Sequence, residues 1–302
     1  MAADLLATLG ERADFSGLTA PVVVGCSGGA DSVALLALSA AAGLRPLAVH
    51  VDHGLRANSA GDATAVEAAA ERVGATWCTV SVRLEAGPNL EARARDARYA
   101  ALETARLAGG AEWVLVAHTA DDQAETVLLN VLRGAAAAGI AGMAARRDQI
   151  GRPLLGLRRA DTHALCASLG LAAVEDPMNH DVAFTRVALR RQVLPLLESV
   201  AGRDLVPVLA RQAEVLRAES EYLDGLARAV WPGSGEPSAS ALAALHPVLA
   251  RRAVRVWLGA PPPSHAEVAR VLEVARGERR AVQLAGGRVI KRSGGRLSCE
   301  RE

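Results

Sequence analysis

Short apolar runs alternate with longer amphipathic segments along the first half of the chain. The apolar runs predict strands at residues 21–25, 46–51, 75–82 and 112–117. The segments that follow them have apolar residues at helical spacing and predict helices near residues 31–42, 61–73, 90–108 and 122–133. Connections of this length allow neighbouring strands to run parallel, with helices crossing over the faces of the sheet. The pattern therefore predicts a doubly wound α/β fold with a mainly parallel sheet.

The pattern is mostly helical beyond residue 150. Three further helices are expected near residues 160–169, 184–194 and 204–229. Between the first two, the polar segment 174–181 contains a proline and is expected to be a loop. Residues 231–240, WPGSGEPSAS, have the composition of a linker. We therefore expect a first domain over residues 1–200, a helical arm over 201–230, the linker over 231–240 and a small C-terminal domain over 241–302.

The C-terminal part of the chain is basic. Residues 245–302 contain twelve Lys or Arg against five Asp or Glu, although the formal net charge of the whole chain is only +1. A positive patch on a small domain is typical of a surface that binds nucleic acid. The alternative is a solvated arginine-rich surface, since every basic residue of this chain except Lys291 is an arginine. The charge pattern alone leaves both interpretations open.

Composition also restricts the cellular setting. The chain has no apolar run near the ~20 residues that a membrane helix requires, and its first residues lack the basic segment of a secretory signal. The cysteines lie far apart and form no C-x-x-C pair, which argues against a disulfide framework and a zinc ribbon. We therefore expect a cytoplasmic protein without a membrane partner, whereas the sequence does not define its oligomeric state.

A glycine-containing turn follows the first predicted strand. The apolar run ending at Gly25 leads into Ser27-Gly28-Gly29-Ala30-Asp31-Ser32, after which helical spacing begins. Backbone N–H groups converge at such a helix start, and two glycines let a bulky anion approach the main chain, so the turn should bind phosphate. The lysine-containing P-loop is excluded because the single lysine, Lys291, lies far from the turn, and G-x-G-x-x-G is absent. The structural alternative is a tight connection without a ligand.

Polar segments also follow the second and fourth predicted strands, over residues 50–56 and 118–125. Ligands of doubly wound sheets bind beyond the carboxyl ends of the strands, so one crevice should collect these segments and the turn. A metal-hydrolase site is an alternative that would leave the turn unexplained; its ligands would be His50, Asp52, His53, His118, Asp121 and Asp122. His53 and His118 could equally be hydrogen-bonded residues at strand ends.

Asp122 and Glu125 form a carboxylate pair at the start of a predicted helix. They are three residues apart, so both side chains lie on one face of that helix. Such a pair could hold Mg²⁺ that bridges phosphates, or bind the ammonium of an amine substrate. The alternative is favourable helix N-terminal electrostatics, worth about 0.3–1 kcal/mol for each carboxylate. Considered alone, the pair favours that alternative.

Six motifs occur in order between residues 20 and 200. They are SGGADS at 27–32, HVDHGLR at 50–56, NLEARARDARY at 89–99, AHTADDQAETVLLNVLRG at 117–134, RPLLGLRR at 152–159 and VEDPMNHDVAFTR at 174–186. The first resembles the signature of the PP-loop ATP pyrophosphatases, and the ordered set resembles the tRNA(Ile)-lysidine synthases. The chain departs from that family's pattern at Val187 and Ala188, where Asn-Arg is usual, and at Ala135 to Ala138, where Gly and Ser are common. The resemblance implies a Rossmann-like PP-loop catalytic domain, followed by the arm and a basic RNA-binding domain.

The resemblance implies a particular reaction: ligation of free L-lysine to C2 of the wobble cytidine of a tRNA(Ile) with a CAU anticodon. ATP would first adenylate the cytidine, and AMP and pyrophosphate would be released. The implied nucleotide-binding residues are Ser27, Gly28, Gly29, Ala30, Asp31, Ser32, His50, Asp52, His53 and His118. The implied catalytic residues are Asp31, which is also a candidate Mg²⁺ contact, Asp122 and Glu125 for the lysine ammonium and its proton, and Arg186 and Arg190 for phosphates.

Three other functions are compatible with parts of the sequence. A PP-loop tRNA thiolase would share the first domain, but it needs paired cysteines or an iron–sulfur cluster. A glutamine-using amidotransferase with an N-terminal cysteine is disfavoured because Met1 is followed by Ala2. A non-catalytic RNA-binding protein would explain the basic end but not the polar segments at the strand ends. If tRNA is the partner, Arg288, Lys291 and Arg292 are candidate contacts to its acceptor stem.

Overall fold

The computed structural model describes residues 2–54, 59–84, 87, 90–174, 181–230 and 235–301. Sequence expectations for residues 55–56, 89, 175–180 and 231–234 therefore lie outside the described part. The chain forms two compact units, Met1–Glu214 and Val215–Glu302. The division falls within a long helix, Val206–Val230. The finer bounds predicted from the sequence, with an arm from residue 201 and a linker over 231–240, stay a prediction.

The first unit contains a six-stranded sheet. Its strands are β1 Val22–Gly25, β2 Pro46–Asp52, β3 Thr76–Ser81, β4 Trp113–Leu115, β5 Arg146–Arg147 and β6 Ile150–Gly151. The strand order is β3-β2-β1-β4-β6-β5, and all neighbours are parallel except β5 and β6. The order reverses direction at β1, so the crevice between the ends of β1 and β4 is the switch point where doubly wound sheets bind ligands. The predicted fold class is confirmed.

Helices cover both faces of this sheet. They are α1 Ala2–Arg12, α2 Ala30–Ala41, α3 Ser59–Val73, α4 Leu90–Ala108, α5 Ala120–Leu132, α6 Ala137–Ile140, α7 Arg159–Leu169, α8 Thr185–Ala188 and α9 Leu194–Ala201. A short 3₁₀ helix spans Pro153–Gly156, and a π-helical turn, Leu189–Val193, joins α8 to α9. α10, Val206–Val230, begins in the first unit and continues into the second.

Strand β1 is buried on both faces, which is why its sequence is continuously apolar. Val22 and Val24 belong to a core formed largely with α2 and α7, whereas Val23 packs on the other face with Leu102 of α4 and Val114 of β4. Because side chains alternate along the strand, β1 packs against helices on both faces of the sheet. The ends of β1 and β4, where the polar segments begin, are held from both sides.

Some predicted elements differ in detail from the observed ones. The strand predicted at 112–117 is only Trp113–Leu115, and the two-residue strands β5 and β6 have too few positions to show a period in the sequence. The helix predicted near 184–194 is interrupted by the π-helical turn. The alanine-rich segment after Arg133, where family members commonly have Gly and Ser, contains the one-turn helix α6.

The second unit packs three helices, α11 Ala239–Ala244, α12 Pro247–Leu258 and α13 His265–Arg276, with a three-stranded antiparallel sheet. The strands are β7 Ala281–Leu284, β8 Arg288–Ser293 and β9 Arg296–Arg301. Ser264 and Glu267 form a capping box at the start of α13, and Glu267 also accepts a hydrogen bond from Ala285 N (2.7 Å). These backbone donors hold the pKa of Glu267 at about 2. None of the helices in the described residues is long and apolar enough to cross a membrane.

Candidate active site

The Ser27–Ser32 turn has the shape of an anion cradle. The Ser32 hydroxyl donates to Gly29 O (2.8 Å) and accepts from Ser27 N (3.2 Å), so it folds the turn over the start of α2. Gly28 has φ +85°, and a Cβ there would lie 3.3 Å from Asp62 O, so the position is suited to glycine. The helical ladder of α2 begins with Val33 N donating to Gly29 O (3.0 Å), which leaves the preceding N–H groups unused by the helix.

Asp31 lies at the first turn of α2, between the Ser27–Ser32 turn and α7. The Thr162 hydroxyl donates to its Oδ1, and Arg159 Nε lies 3.5 Å from its Oδ2. Burial raises the pKa of this carboxyl above its usual value, against the opposing effects of Thr162 and Arg159. The folded protein therefore stabilises the ionised form of Asp31 less than water does.

The pair at the start of α5 is held by arginines. Asp122 Oδ2 accepts from Thr119 N (2.8 Å) and Thr119 Oγ1 (2.9 Å), which caps the helix, and its Oδ1 accepts from Arg159 Nη2 (2.7 Å). Glu125, only 1% exposed, accepts from Arg190 Nε (2.6 Å) and Nη2 (3.2 Å). The structure therefore brings Asp122, Glu125 and Arg190 together, as the sequence suggests, but in ion pairs with one another and with Arg159.

Arg159 is the centre of this cluster. Its guanidinium contacts Asp122, Asp31 and also Glu125, whose Oε1 lies 3.5 Å from Nη1. Burial acts to lower the pKa of Arg159, but the surrounding carboxylates outweigh it and the pKa is raised. Arg159 was not among the site residues expected from the sequence, and its place at the end of the RPLLGLRR motif is the signal that points to it.

Asp121 is used differently from its neighbour Asp122. Its carboxylate accepts from Arg158 Nε (3.1 Å) and Nη2 (3.2 Å) and from Arg159 N (2.8 Å). Burial acts to raise the pKa of Asp121, but these donors outweigh it and the pKa is lowered. Arg158 also pairs with Asp204, which precedes α10. Asp121 therefore joins the starts of α5 and α7.

Arg186 lies beside the cluster but outside its ion pairs. Its Nη2 is 3.4 Å from Thr126 Oγ1, one turn further along α5 than Asp122. Val187, at a position where the family usually has a polar residue, is buried. The Val187 side chain therefore contributes apolar packing and no polar contact, with Arg186 and Arg190 nearby in the sequence.

The histidines divide into two kinds. His50 is buried, and its Nδ1 lies 3.1 Å from Cys26 O; Asp52 Oδ1 accepts from Gly54 N (2.9 Å). Both side chains are therefore held by main-chain atoms near the ends of the strands. In contrast, both ring nitrogens of His53 and the Nδ1 of His118 are buried without a protein hydrogen-bond partner. Burial lowers both pKa values, that of His118 to about 4, with additional repulsion from nearby arginines.

A group of arginines surrounds these two histidines. Arg95 and Arg98 lie one turn apart on α4, and Arg152 follows β6. The Arg95 guanidinium lies 5.0 Å from the centre of the Tyr99 ring, and Arg95 and Arg98 oppose protonation of His118 and His53 respectively. Among the described residues, these three arginines form no ion pair with a carboxylate. We call Arg95, Arg98 and Arg152 the arginine group.

The parallel sheet, the anion cradle and the carboxylates at the switch point define a PP-loop nucleotide-binding domain. Residues 12–197 match the family model described as the PP-loop domain, and residues 238–298 match the one described as the TilS substrate binding domain.

The chain belongs to the tRNA(Ile)-lysidine synthase family. It is 44% identical over 300 residues to the tRNA(Ile)-lysidine synthase of Nocardia farcinica, covering 95% of this chain and 93% of that protein. It is 49% identical over 241 residues to the enzyme of the same name from Mycolicibacterium paratuberculosis, covering 78% and 73%. In fold, it resembles the U34-tRNA thiolase NcsA from Methanococcus maripaludis, solved with its [4Fe-4S] cluster (TM-score 0.59, 17% identity, 72% of this chain and 78% of that one).

The described residues of this site do not assemble the ligands that either alternative chemistry would use. Within the ranges the structure describes, no group of three or more His, Cys, Asp or Glu side chains is arranged to hold a metal ion. His50 is directed to Cys26 O and Asp121 to Arg158, so the set suggested for a metal hydrolase does not assemble. The four cysteines are free, and two of them, Cys26 and Cys166, are buried.

Proposed function

We propose that this protein uses ATP to join free lysine to C2 of the wobble cytidine in a tRNA(Ile) with a CAU anticodon. The observation that carries the proposal is the cluster at the switch point, where Arg159 contacts three carboxylates beside an anion cradle. Family membership supplies the reaction, and the cluster supplies groups of both signs for its two charged small substrates.

The Ser27–Ser32 turn is proposed to bind the pyrophosphate part of ATP. The N–H groups that the α2 helical ladder leaves unused and the adjoining helix start suit a polyanion. Asp31 fits a magnesium contact, since Mg²⁺ in proteins is commonly held by one or two carboxylates together with phosphates, and Asp31 Oδ2 has no hydrogen bond closer than the 3.5 Å approach of Arg159. Bound there, Mg²⁺ would supply positive charge against the phosphates.

The chemistry needs an activated base and a neutral amine. Cytosine C2 carries a carbonyl oxygen that leaves poorly, so we propose that this oxygen first attacks the α-phosphate of ATP and releases pyrophosphate. The lysine ε-amine, with a reference pKa of about 10.4, arrives as an ammonium and must lose a proton before it attacks C2. The C–N bond forms, the C2–O bond breaks, and the oxygen leaves with AMP.

Asp122 is the better placed carboxylate to receive the ammonium. Glu125 is 1% exposed beneath Arg190, whereas the Asp122 side chain is 14% exposed. Both are ion-paired in the described state, so the ammonium must replace an arginine contact rather than enter an empty site. The displaced guanidinium of Arg159 or Arg190 would then be available to a phosphate oxygen, which suits a planar donor fork. Asp122 or Glu125 would accept the proton that lysine loses.

The arginine group is proposed to bind the RNA backbone beside the reacting base. Arg95 and Arg98 are exposed and lack carboxylate partners among the described residues, and Tyr99 offers an aromatic face. His53 and His118, whose buried ring nitrogens lack hydrogen-bond partners among the described residues, lie in the same surroundings. We therefore assign these histidines to the RNA side of the crevice, as an alternative to the direct nucleotide contact suggested by sequence.

The second unit is proposed to hold the rest of the tRNA. Two of the basic residues proposed from sequence are used internally: Arg288 is 4% exposed and its Nη1 donates to Leu258 O (3.3 Å), and Arg292 Nη1 donates to Ala275 O (2.9 Å). Lys291 pairs with Glu300 at the surface. Any contact to the acceptor stem therefore falls first to Lys291 and to other exposed arginines of this unit.

The test is incorporation of labelled lysine into an unmodified tRNA(Ile) transcript with a CAU anticodon, with and without ATP. The methionine tRNA, which has the same anticodon, is the matched control. We expect incorporation that requires ATP and is confined to the isoleucine transcript. ATP consumption with tRNA but without lysine incorporation would contradict the proposal and redirect attention to a sulfur donor.

A further inference from the structure

A buried hydroxyl of α7 holds the carboxylate at the start of α2. Thr162 is 0% exposed, and its hydroxyl donates to Asp31 Oδ1. The same hydroxyl also lies 2.8 Å from Arg159 O, three residues earlier on α7. It has one proton, and the charged carboxylate is the stronger acceptor. The two residues are 131 positions apart in the sequence, so the packing of α7 against α2 brings them together.

The fold sets the position of this hydroxyl. Thr162 is β-branched, which leaves few side-chain rotamers in a helix, and those that place Oγ1 near a carbonyl of the preceding turn are favoured. Cys166, one turn further along α7, brings its Sγ within 3.3 Å of Ala30 O, at the residue before Asp31. Leu165 and Cys166 also belong to the core that α7 shares with α2. Two consecutive turns of α7 therefore hold the first turn of α2.

The two oxygens of Asp31 differ in their surroundings. Oδ1 accepts from Thr162, whereas the nearest donor to Oδ2 among the described residues is Arg159 Nε, at 3.5 Å. The Asp31 side chain is 25% exposed and Thr162 is enclosed, so a ligand in the crevice can reach the carboxylate but not the hydroxyl. Thr162 can therefore influence such a ligand only through Asp31.

We propose that Thr162 is a positioning residue that orients Asp31 for the magnesium ion bound with ATP. This role rests on the proposed function, in which Asp31 contacts that ion. A carboxylate held in advance loses less conformational freedom when a ligand binds. Its orientation matters here because Mg²⁺ demands a nearly ideal octahedral arrangement of oxygen ligands. Thr162 should thus raise the affinity for ATP when Mg²⁺ is present, without any contact to ATP.

The test compares ATP binding with Mg²⁺ and with EDTA, measured by calorimetry on the full chain without RNA or lysine. Thr162→Val keeps the β-branched shape and removes the hydroxyl, whereas Thr162→Ser keeps the hydroxyl. The matched control is Ser168→Ala on the same helix. The Ser168 hydroxyl also donates to the carbonyl three residues earlier, Leu165 O (2.8 Å), but from an exposed position.

We expect Mg²⁺ to increase the affinity of the wild type for ATP. Thr162→Val should reduce this increase by about tenfold, because it removes a hydrogen bond to a charged group, and should leave the affinity in EDTA unchanged. Thr162→Ser should keep most of the increase, and Ser168→Ala all of it. Combined with Asp31→Asn, Thr162→Val should have no further effect, since both residues act on the same contact.

Four results would overturn the inference. They are an ATP affinity of the wild type that does not depend on Mg²⁺, an unchanged increase in Thr162→Val, an equal loss with Mg²⁺ and with EDTA, and an undiminished effect of Thr162→Val beside Asp31→Asn. The third would mean that Thr162 merely supports the cradle, and the fourth that it acts elsewhere.

Thermal unfolding shows whether each variant is folded. If Thr162→Val is not, Thr162→Ala, which also lacks the hydroxyl, takes its place with the same expected result. A wild type that binds no ATP under either condition would instead contradict the proposed function itself, so the two failures are distinguishable.

Discussion

At the scale of single residues, Arg159 determines the electrostatics of the site. Three carboxylates lie near one another only because a guanidinium stands between them. An arginine can do this because its donors point in several fixed directions, whereas a lysine has a single charged atom. For Asp31, burial raises the pKa despite the opposing effects of Thr162 and Arg159.

Asp31→Asn should remove activity while stabilising the fold at neutral pH. The folded-state pKa of Asp31 lies above 3.8, its ordinary value, so ionisation is less favourable in the folded than in the unfolded chain. Above about pH 4, the ionised Asp31 side chain therefore lowers the free energy of unfolding, and Asp31→Asn should raise that free energy. This difference should disappear as the pH falls below that value. Lysidine formation should fall at least about 100-fold because a carboxylate proposed to hold the phosphate-bound Mg²⁺ is lost.

Asp14→Asn is the matched control, with the opposite sign. Burial acts to raise the pKa of Asp14, but Ser16 and Arg146 outweigh it and the pKa is lowered, so its charge stabilises the fold above pH 3.8 and that contribution is lost as pH falls. Thermal unfolding of both variants between about pH 2.5 and pH 7.5, a range that extends below the ordinary Asp pKa of about 3.9, checks the pair. A less stable Asp31→Asn variant at neutral pH would contradict the argument, as would activity close to that of the wild type.

At the scale of elements, α4 supplies both packing and charge. Leu102 packs against β1, while Arg95 and Arg98 project from the N-terminal half of the same helix near the ends of the strands. A helix that follows a parallel strand begins at the carboxyl edge of the sheet, so its first turns lie beside the ligand crevice. The position of the arginine group therefore follows from the topology.

The Arg95→Gln/Arg98→Gln double variant should weaken RNA binding and reduce its dependence on salt. Each phosphate contact contributes about 0.7 to the slope of log K against log salt for single strands, so losing two should reduce the slope by ~1.4. Binding of the stem-loop to the protein, titrated at several salt concentrations, gives the slope. Affinity for ATP alone should not change.

Arg106→Gln is the control on the same helix, because Arg106 is paired with Glu103 and lies in its last turn. It should leave the slope unchanged. If the double variant weakened ATP binding and left RNA binding intact, the arginine group would belong to the nucleotide rather than to the RNA.

The elements and the turn were predictable because their determinants are local. β1 is apolar throughout, and the Ser27–Ser32 turn is closed by contacts within six residues. The carboxylates of α5 were predictable as a pair for the same reason. Their pairing with Arg159 was not, because it depends on α7 packing against α2 with its first residue beside the start of α5, which only the assembled fold provides.

At the scale of the whole molecule, the two units differ in what their basic residues do. In the first unit, arginines surround a crevice; in the second, several bind main-chain carbonyl groups, as Arg288 and Arg292 do. The basic composition of the C-terminal segment is visible in the sequence, but the sequence cannot distinguish an arginine that supports the fold from one that is available to RNA. That distinction depends on burial.

Arg288→Gln should destabilise the second unit, whereas Lys291→Gln should not. Arg288 is 4% exposed, and its removal breaks the hydrogen bonds that its guanidinium donates to Leu258 O and Ala285 O; hydrogen bonds to charged groups are worth about 1.5–3 kcal/mol. Lys291 is half exposed, and such pairs are worth about 0–1 kcal/mol. Hydrogen exchange in β8 and α13 reports the second unit separately from the first. Equal protection in the two variants would contradict the structural role of Arg288.

The ion pairs around Arg159 also bear on how charged substrates would bind. In the described state, guanidinium groups neutralise the carboxylates that would receive an ammonium, and those same groups are the ones that would meet a phosphate. An incoming ammonium would therefore replace a guanidinium as the partner of a carboxylate, and an incoming phosphate would replace a carboxylate as the partner of a guanidinium. Under the proposed function, binding of both substrates exchanges ion-pair partners and leaves the charge balance nearly constant. We therefore expect ATP to bind before lysine.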